Sequence, residues 1–266
     1  MKIEYSFYMA SLLNPKSLPF LDYPYPIPFA HRGGAGVFPE NTLPAFQNAV
    51  NSGYKYLETD VHSSKDGEVF AFHDDSLDRV TEHSGKISEL TSKEISNIKI
   101  DNFAKIPTLL ELLETFPEAK LNIDPKADSV VQPLTDLLKH TNSVSRVCIG
   151  SFSDKRIKHI RKELGSGLCV SAGPKKVVKF LAGKLAFYKF KSDYHCLQVP
   201  QRSGPVTIIT HDFVKRAHSR GLQVHVWTVD DPYEMNELLD LGVDGLMTDE
   251  PSILKNVLIE RGEWNE

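Results

Sequence analysis

Short apolar runs of strand length alternate along the chain with stretches in which apolar residues recur at helical spacing. Eight of these runs are predicted as strands: Pro28–His31, Tyr56–Val61, Lys120–Asp124, Arg146–Ser151, Leu168–Ala172, Cys196–Val199, Gln223–Thr228 and Gly245–Thr248. Helices are predicted between them at Thr42–Ser52, Thr108–Phe116, Asp154–Leu164, Phe213–Ser219 and Pro232–Leu241. Glycines suited to helix C-caps follow four of these helices, at Gly53, Gly165, Gly221 and Gly242.

This alternation predicts an α/β fold, and eight strands joined mostly by helices favour a closed (β/α)8 barrel of the TIM type. A doubly wound open sheet has the same periodicity and remains the alternative. A chain of 266 residues suits one large domain, which we place at residues 27–266. Residues 1–26, rich in Tyr, Pro and Leu, are predicted to be an arm that packs on the barrel exterior.

A hairpin is predicted at Asp66-Gly67, because this dipeptide is typical of two-residue turns between strands. It adds a ninth strand, Glu68–Phe72, antiparallel to the second and lying above the barrel mouth. Counting outward from a two-residue turn pairs Lys65 with Glu68 and, further along, Asp60 with His73. The turn therefore predicts a histidine beside a carboxylate.

Composition excludes some classes of function. The chain is 41% hydrophobic and 25% charged with a net charge of −4, so a broad nucleic-acid-binding surface is not expected. No apolar run has the 18 or so residues needed to span a membrane. Cys148, Cys169 and Cys196 have no metal-type spacing and are predicted to be buried, reduced thiols, which favours a cytoplasmic location.

Polar residues gather where the predicted strands end, at His31, Glu58, Asp60, Asp124, Trp227 and Asp249. In a parallel barrel the carboxyl ends of the strands form one rim, and that rim carries the active site. Glu58 and Asp60 are two residues apart on one strand, so their side chains point to the same face. We interpret the adjacent His62 as facing away from this side and leave it out of the site.

These residue types suit cleavage of a phosphodiester. Carboxylates of Glu58, Asp60 and Asp124 are hard oxygen ligands for one Mg²⁺ or Ca²⁺ ion. Arg32 can make paired hydrogen bonds to phosphate, Lys126 can add a positive charge, and Trp227 can line a substrate pocket. His31 and His73 can accept and donate protons near neutral pH.

Each of these assignments has a structural alternative. The acidic residues could form a buried ion-pair network with Arg32 or Lys126, although two carboxylates in an apolar strand are costly without a cation. Trp227 could be a core residue. The loop glycines Gly33, Gly34 and Gly36 either approach a phosphate closely or simply satisfy unusual backbone dihedrals.

Six motifs, in order, make the chain resemble the glycerophosphodiester phosphodiesterases: HRGGAGVFPENTLPAF, LETDVHSSKDGEVFAFHDDSLDRVT, IPTLLELL, LNIDPK, VHVWTVDD and GVDGLMTDEP. The resemblance covers roughly Pro28 to Leu258. It implies a (β/α)8 barrel, a divalent metal, and hydrolysis of small glycerophosphodiesters to an alcohol and sn-glycerol 3-phosphate. It also implies a small insertion that caps the site, at roughly residues 74–102.

The resemblance also implies roles for individual residues. The HR motif maps a catalytic histidine and a phosphate-contacting arginine onto His31 and Arg32, and the FHD motif maps a second catalytic histidine onto His73. The E-x-D motif maps metal ligands onto Glu58 and Asp60. The family's E-x-K motif falls on Asp124-Pro125-Lys126, where the aspartate is one methylene shorter than the usual glutamate.

Three other functions stay open. A lysophospholipase D-type enzyme would use the same site on a lipid substrate. A barrel that binds a phosphorylated ligand without cleaving it would lack one histidine or one acidic ligand, and this chain has them all. A sugar-phosphate isomerase on this fold would not need a metal triad and two histidines.

Overall fold

The computed structural model describes residues 18–183 and 192–265. Its strands, numbered β1 to β13 in chain order, are Ile27–Ala30, Tyr56–Ser63, Val69–Ala71, Lys99–Ile100, Ala104–Lys105, Lys120–Pro125, Val147–Ile149, Cys169–Val170, Cys196–Pro200, Arg202–Ser203, Val206–Thr207, Gln223–Trp227 and Gly245–Thr248. Its helices, numbered α1 to α9, are Leu43–Asn51, Ser92–Ile95, Leu109–Thr115, Val131–His140, Asp154–Leu164, Pro174–Ala182, His211–His218, Pro232–Asp240 and Pro251–Glu260.

Eight parallel strands form a barrel in the order β8-β7-β6-β2-β1-β13-β12-β9. Two backbone hydrogen bonds close the ring between β8 and β9, from His195 N to Val170 O and from Ala172 N to Cys196 O, both 2.9 Å. The closed ring confirms the barrel and excludes an open sheet. All eight predicted strands are present, with ends that differ by no more than two residues.

Helices α4, α6 and α9 were not among the predicted helices, and their N-termini explain why. Val130, Gly173 and Glu250 precede them, and none makes a side-chain capping hydrogen bond. The five predicted helices, by contrast, each follow a capping side chain, namely Thr42, Thr108, Ser153, Thr210 and Asp231. A capping side chain was therefore missing at these three helices, although α6 and α9 each begin with a proline. The short helix α2 was not predicted either, and it does have a capping box, between Thr91 and Glu94.

The predicted hairpin is present, but its register was wrong by one residue. Ser63 pairs with Val69, so Asp60 lies opposite Phe72 rather than opposite His73. The amide of Phe72 accordingly donates to the carbonyl oxygen of Asp60 over 2.9 Å. His73 therefore lies one position beyond the strand pairing, at the start of the insertion.

The hairpin loop is the physical reason for this shift. A hydrogen bond of 2.8 Å from Ser64 N to Glu68 O encloses a three-residue loop, 65–67, instead of a two-residue one. Gly67 has φ of 91°, as expected for the last residue of a three-residue loop that begins as a type I turn. Asp66 accepts a hydrogen bond from Ser64 Oγ at 2.7 Å, which stabilises this wider loop.

Two apolar clusters lie next to the barrel, one at the end where the strands begin and one in the segment after β3. The residues before β1 cover the end of the barrel where the strands begin, and Phe20 is buried there against Phe29 and Tyr56. Residues 1–17 of the predicted arm lie outside the described residues. The insertion after β3 has its own apolar cluster, which includes Leu77, Ile87 and Ile98. In the part of the chain that the structure describes, no helix is long and apolar enough to cross a membrane.

Candidate active site

The turn after β1 carries the first site residues. His31, Arg32 and Gly33 form one turn of 3-10 helix, in which Arg32 has φ of 51° and Gly33 has φ of 88°. A Cβ atom on Gly33 would lie 2.9 Å from Ala45 Cβ and from Phe46 N. Close packing against α1 therefore requires the glycine, and this supports the conformational explanation of the glycine-rich loop.

His31 is held by two carboxylates. Its Nδ1 lies 2.8 Å from Asp249 Oδ1, and its Nε2 lies 3.8 Å from Glu58 Oε2. Burial lowers the pKa of His31, but the charges of Glu58 and Asp249 outweigh it, so the pKa is raised above its usual value. Asp249 thus orients the ring in the way that an aspartate orients the histidine of many hydrolytic sites.

Three acidic side chains from two neighbouring strands face the barrel mouth. Parallel pairing places Asp60 of β2 directly beside Asp124 of β6, with Glu58 two residues before Asp60 on the same face. All three are buried. The three predicted metal ligands therefore share one side of the barrel wall.

Two cations contact this acidic group. Lys126 Nζ lies 2.7 Å from Asp60 Oδ1 and 2.8 Å from Asp124 Oδ2, and Arg32 Nε lies 3.1 Å from Asp60 Oδ2. The backbone N–H of Arg32 donates to Glu58 Oε2 over 3.0 Å. The ion-pair network that the sequence left as an alternative is thus present, with Asp60 at its centre.

The carboxylates differ in their proton affinity. Burial and the charge of Asp60 raise the pKa of Glu58 to about 7, and burial also raises the pKa of Asp124. Asp60 is equally buried, but the charges of Lys126 and Arg32, with a smaller contribution from His73, lower its pKa. The two cations therefore stabilise the charge of Asp60 much more than that of Glu58.

His73 has a matching aspartate partner. Its Nδ1 lies 2.6 Å from Asp74 Oδ1, and Asp74 also accepts a short hydrogen bond from Arg79 Nε. Arg79 contacts both oxygens of Glu40, which in turn lies 3.1 Å from Arg32 Nη1. A continuous chain of charges thus links His73 in the insertion to Arg32 after β1.

His62 does not face away from the site, contrary to the sequence interpretation. Residues two apart on a strand share a face, and β2 keeps this alternation, so His62 follows Glu58 and Asp60 on the same side. It is buried, and its Nε2 lies 3.2 Å from the carbonyl oxygen of His73. Burial lowers the pKa of His62, and the hydrogen bond to His73 and the charge of Asp60 only partly oppose this.

Trp227 lies at the end of β12, half-buried, with its ring edge-on to Phe152 at 5.7 Å between centroids. It also packs against the apolar cluster inside the barrel. Its position is compatible with both the pocket and the core interpretation. Phe152 is itself 67% exposed and lies 5.9 Å from Lys126 Nζ, so this aromatic pair adjoins the charged group.

Sequence reasoning placed Asp249 at the rim without giving it a role, and it missed Glu40, Asp74 and Arg79. It also missed Asn41, whose Nδ2 donates to Asp60 Oδ2 over 3.4 Å while its Oδ1 accepts from Thr59 Oγ1 over 2.8 Å. The adjacent His73-Asp74 pair was a usable signal. The other contacts join distant segments, which spacing along the chain cannot reveal.

Residues 31–253 match the sequence profile of the glycerophosphoryl diester phosphodiesterase family. The chain belongs to this family. A probable glycerophosphodiester phosphodiesterase 2 of Mycobacterium tuberculosis is 37% identical over 252 residues, which covers 92% of this chain and 96% of the relative. A glycerophosphodiester phosphodiesterase of Caldanaerobacter subterraneus is 30% identical over 88% of this chain and 98% of its own length. As a member of the glycerophosphoryl diester phosphodiesterase family, the chain is a phosphoric diester hydrolase.

Solved structures carry the same fold. A putative glycerophosphoryl diester phosphodiesterase from Silicibacter pomeroyi has a TM-score of 0.78 at 23% identity, covering 93% of this chain and 99% of its own. A phosphodiesterase of Oleispira antarctica, in complex with the product sn-glycerol-3-phosphate, has a TM-score of 0.73 at 23% identity, with 88% and 97% coverage. These likenesses support the barrel expected of the glycerophosphoryl diester phosphodiesterase family.

Proposed function

We propose that this hydrolase cleaves glycerophosphodiesters to an alcohol and sn-glycerol 3-phosphate, with one divalent ion and with proton transfer by His31 and His73. The observation that carries the proposal is the pairing of each histidine with an aspartate on either side of a shared acidic group: His31 with Asp249, and His73 with Asp74. Cleavage of a phosphodiester needs one proton acceptor and one proton donor, and two oriented imidazoles can supply both.

The acidic residues fit a divalent metal ion. Glu58, Asp60 and Asp124 supply only oxygen donors, which Mg²⁺ and Ca²⁺ prefer. Asp124 Oδ1 is buried without a hydrogen-bond partner, and the pKa of Glu58 is raised to about 7 because its charge is poorly compensated. A cation held by these three residues would satisfy the unpaired oxygen and offset the uncompensated charge. When bound, it would polarise the phosphorus by drawing charge from a phosphate oxygen.

Arg32 and Lys126 would bind the substrate phosphate. Arg32 is held by Glu40 and Asp60, and Lys126 by Asp60 and Asp124, so both side chains are oriented before substrate arrives. Oriented cations stabilise the charge that builds up on the phosphate oxygens in the transition state. One imidazole would accept the proton of the attacking hydroxyl or water, and the other would protonate the departing alcohol.

We expect choline release from glycerophosphocholine to stop after the purified protein is treated with a chelator, and to return when Mg²⁺ or Ca²⁺ is added. Because Glu58 must lose its proton to bind the ion, restoration of turnover at pH 6 should need about fivefold more metal than at pH 7. Coupled measurement of choline and of glycerol 3-phosphate tests the proposal. Full turnover in the metal-free protein would exclude the metal, and no turnover with any divalent ion would exclude the activity.

Lysophospholipase D-type cleavage is the second candidate. A lysophospholipase D of Rattus norvegicus is 29% identical over 269 residues, covering 86% of this chain and 85% of that protein. Apolar side chains are also exposed in this chain, namely Val37 at 57%, Phe103 at 52% and Phe152 at 67%. The ring of Phe103 lies 5.9 Å, between centroids, from the ring of Phe38, a residue of the loop that follows His31. An acyl chain would need such an apolar approach to the site.

The two candidates differ in the substrate they prefer. We expect kcat/KM for glycerophosphocholine to exceed that for lysophosphatidylcholine by at least about tenfold, since the polar residues at the site match the small substrate. Choline release from both substrates, below the micelle concentration of the lipid, makes the comparison. A preference for the lipid, lost in a Phe103→Ser variant, would establish the second candidate instead.

Three further expectations remain proposals. The barrel domain would span 27–266, with an insertion at roughly 74–102 that is supported by its separate apolar cluster. A cytoplasmic location is supported by three free cysteines in the described residues. The negative net charge supports a small-molecule substrate over a nucleic acid.

A further inference from the structure

Three cysteines meet inside the barrel, below the active site. Cys148, Cys169 and Cys196 come from the consecutive strands β7, β8 and β9, and Cys148 and Cys169 are direct partners across the parallel pairing. Their exposed fractions are 0%, 1% and 0%. The chain separates them by more than 20 residues each, so their meeting is a property of the fold and not of a sequence motif.

The sulfur atoms have the separation that a shared metal ion requires. All three lie within 4.8 Å of one another, and Cys148 Sγ and Cys196 Sγ are 4.0 Å apart. Tetrahedral zinc with bonds of about 2.3 Å to sulfur separates its thiolates by about 3.8 Å. The sulfur atoms of Cys148 and Cys196 would therefore need to move by well under 1 Å to bind the same zinc ion.

His225 on β12 could supply a fourth ligand if its ring moved, since only the three sulfur atoms form the group within 4.8 Å. His225 is within hydrogen-bonding reach of Cys196 and is fully buried. Its Nε2 lies 3.0 Å from Gln223 Oε1 and its Nδ1 lies 3.4 Å from Gln198 Nε2, so a metal ion at Nδ1 would replace the longer of these two contacts. A zinc-binding histidine usually donates its other ring N–H to a nearby oxygen.

Apolar side chains surround the cluster, including Phe20, Phe29 and Met247. Binding of a divalent ion would release the thiol protons and leave the three thiolates paired with the metal.

We propose that Cys148, Cys169, Cys196 and His225 form a structural zinc site in the interior of the barrel. Each bound thiol loses one proton and forms one sulfur–metal bond, and His225 binds as the neutral ring, so no oxidation or reduction takes place. Phe20 and the residues around it close the barrel end below the cluster, so the ion would enter during folding and exchange slowly. This site is independent of the catalytic ion proposed above.

Full-length protein expressed with zinc, then passed through a chelator, should retain one zinc ion per chain by elemental analysis. Protein expressed with cobalt in zinc-limited medium should show a sulfur-to-cobalt charge-transfer band, which an all-oxygen site does not produce. A Cys196→Ser variant should lose both the retained zinc and the band. If that variant fails to fold, the two measurements on the unaltered protein still decide the question.

The matched control is Asp124→Asn, which removes an oxygen ligand of the rim and leaves the cysteines unchanged. It should keep the zinc and the charge-transfer band in full. Protein that retains no zinc, shows no band and yields three free thiols on denaturation would overturn the proposal. A disulfide between any two of these cysteines in the purified native protein would overturn it as well.

Discussion

Replacement of His31 or of His73 by alanine should lower kcat for glycerophosphocholine by at least about a hundredfold, because each change removes one of the two proposed proton-transfer groups. The barrel should stay folded in both variants, since His31 lies in the 3-10 turn after β1, His73 lies just after β3, and neither belongs to an apolar cluster. Initial rates of choline release at saturating metal, together with thermal unfolding of each variant, make the measurement.

The matched control is His159→Ala, which removes an exposed histidine from helix α5. Its turnover should equal that of the unaltered protein. The double variant at His31 and His73 should be little slower than the worse single variant, because the two groups act in one reaction and their effects do not add. Turnover within threefold of normal in either single variant would contradict the proposed proton transfer.

Two substitutions on β2 should change stability in opposite directions although each removes one negative charge. In metal-free protein the difference between a pKa of 4.5 and one of about 7 makes ionised Glu58 cost about 3 kcal/mol. That cost is absent below about pH 4.5, grows as the pH rises, and is complete above pH 7. Glu58→Gln should therefore raise the free energy of unfolding at pH 8 and change it little at pH 4.5.

Asp60→Asn should lower the free energy of unfolding by about 3 kcal/mol at pH 8. The change leaves Lys126 and Arg32 with less compensation in a buried position, and breaking one partner of a buried ion-pair network is costly. Asp60 has a lowered pKa, so its contribution is present at neutral pH and is lost as the pH falls through its folded pKa.

Denaturant unfolding of both variants in a chelator, at pH 4.5 and pH 8, tests the pair. Both should also lose metal-dependent turnover, since each is proposed to be a metal ligand. A stability change of the same sign in the two variants at pH 8 would contradict the account of the acidic group.

The sequence was sufficient for those features that depend on local patterns. Apolar runs of strand length predicted the barrel strands, and apolar residues at helical spacing predicted five of the helices. The rim positions of His31, Glu58, Asp60 and Asp124 followed from the rule that functional residues lie at the carboxyl ends of barrel strands.

Features that depend on three-dimensional closure were not predictable. The loop at Asp66-Gly67 could hold two residues or three, and only the contacts of Ser64 with Glu68 and with Asp66 select the longer one. Asp249 meets His31 across 218 positions of sequence because the last strand of the barrel pairs with the first. The spacing of residues along the sequence does not predict a contact between such distant segments. The contacts among the three cysteines could not be predicted for the same reason.

Arg79 belongs to the insertion, yet it shares Glu40 with Arg32, a residue of the barrel itself. Replacing the proposed cap by a different one to alter head-group preference would therefore also remove a contact that anchors Arg32, the proposed phosphate-binding residue. Variants in which the insertion is exchanged but Asp74 and Arg79 are kept should retain the rate of turnover and change the head-group selectivity. Exchange of the whole insertion should lower the rate of turnover and also lose the selectivity.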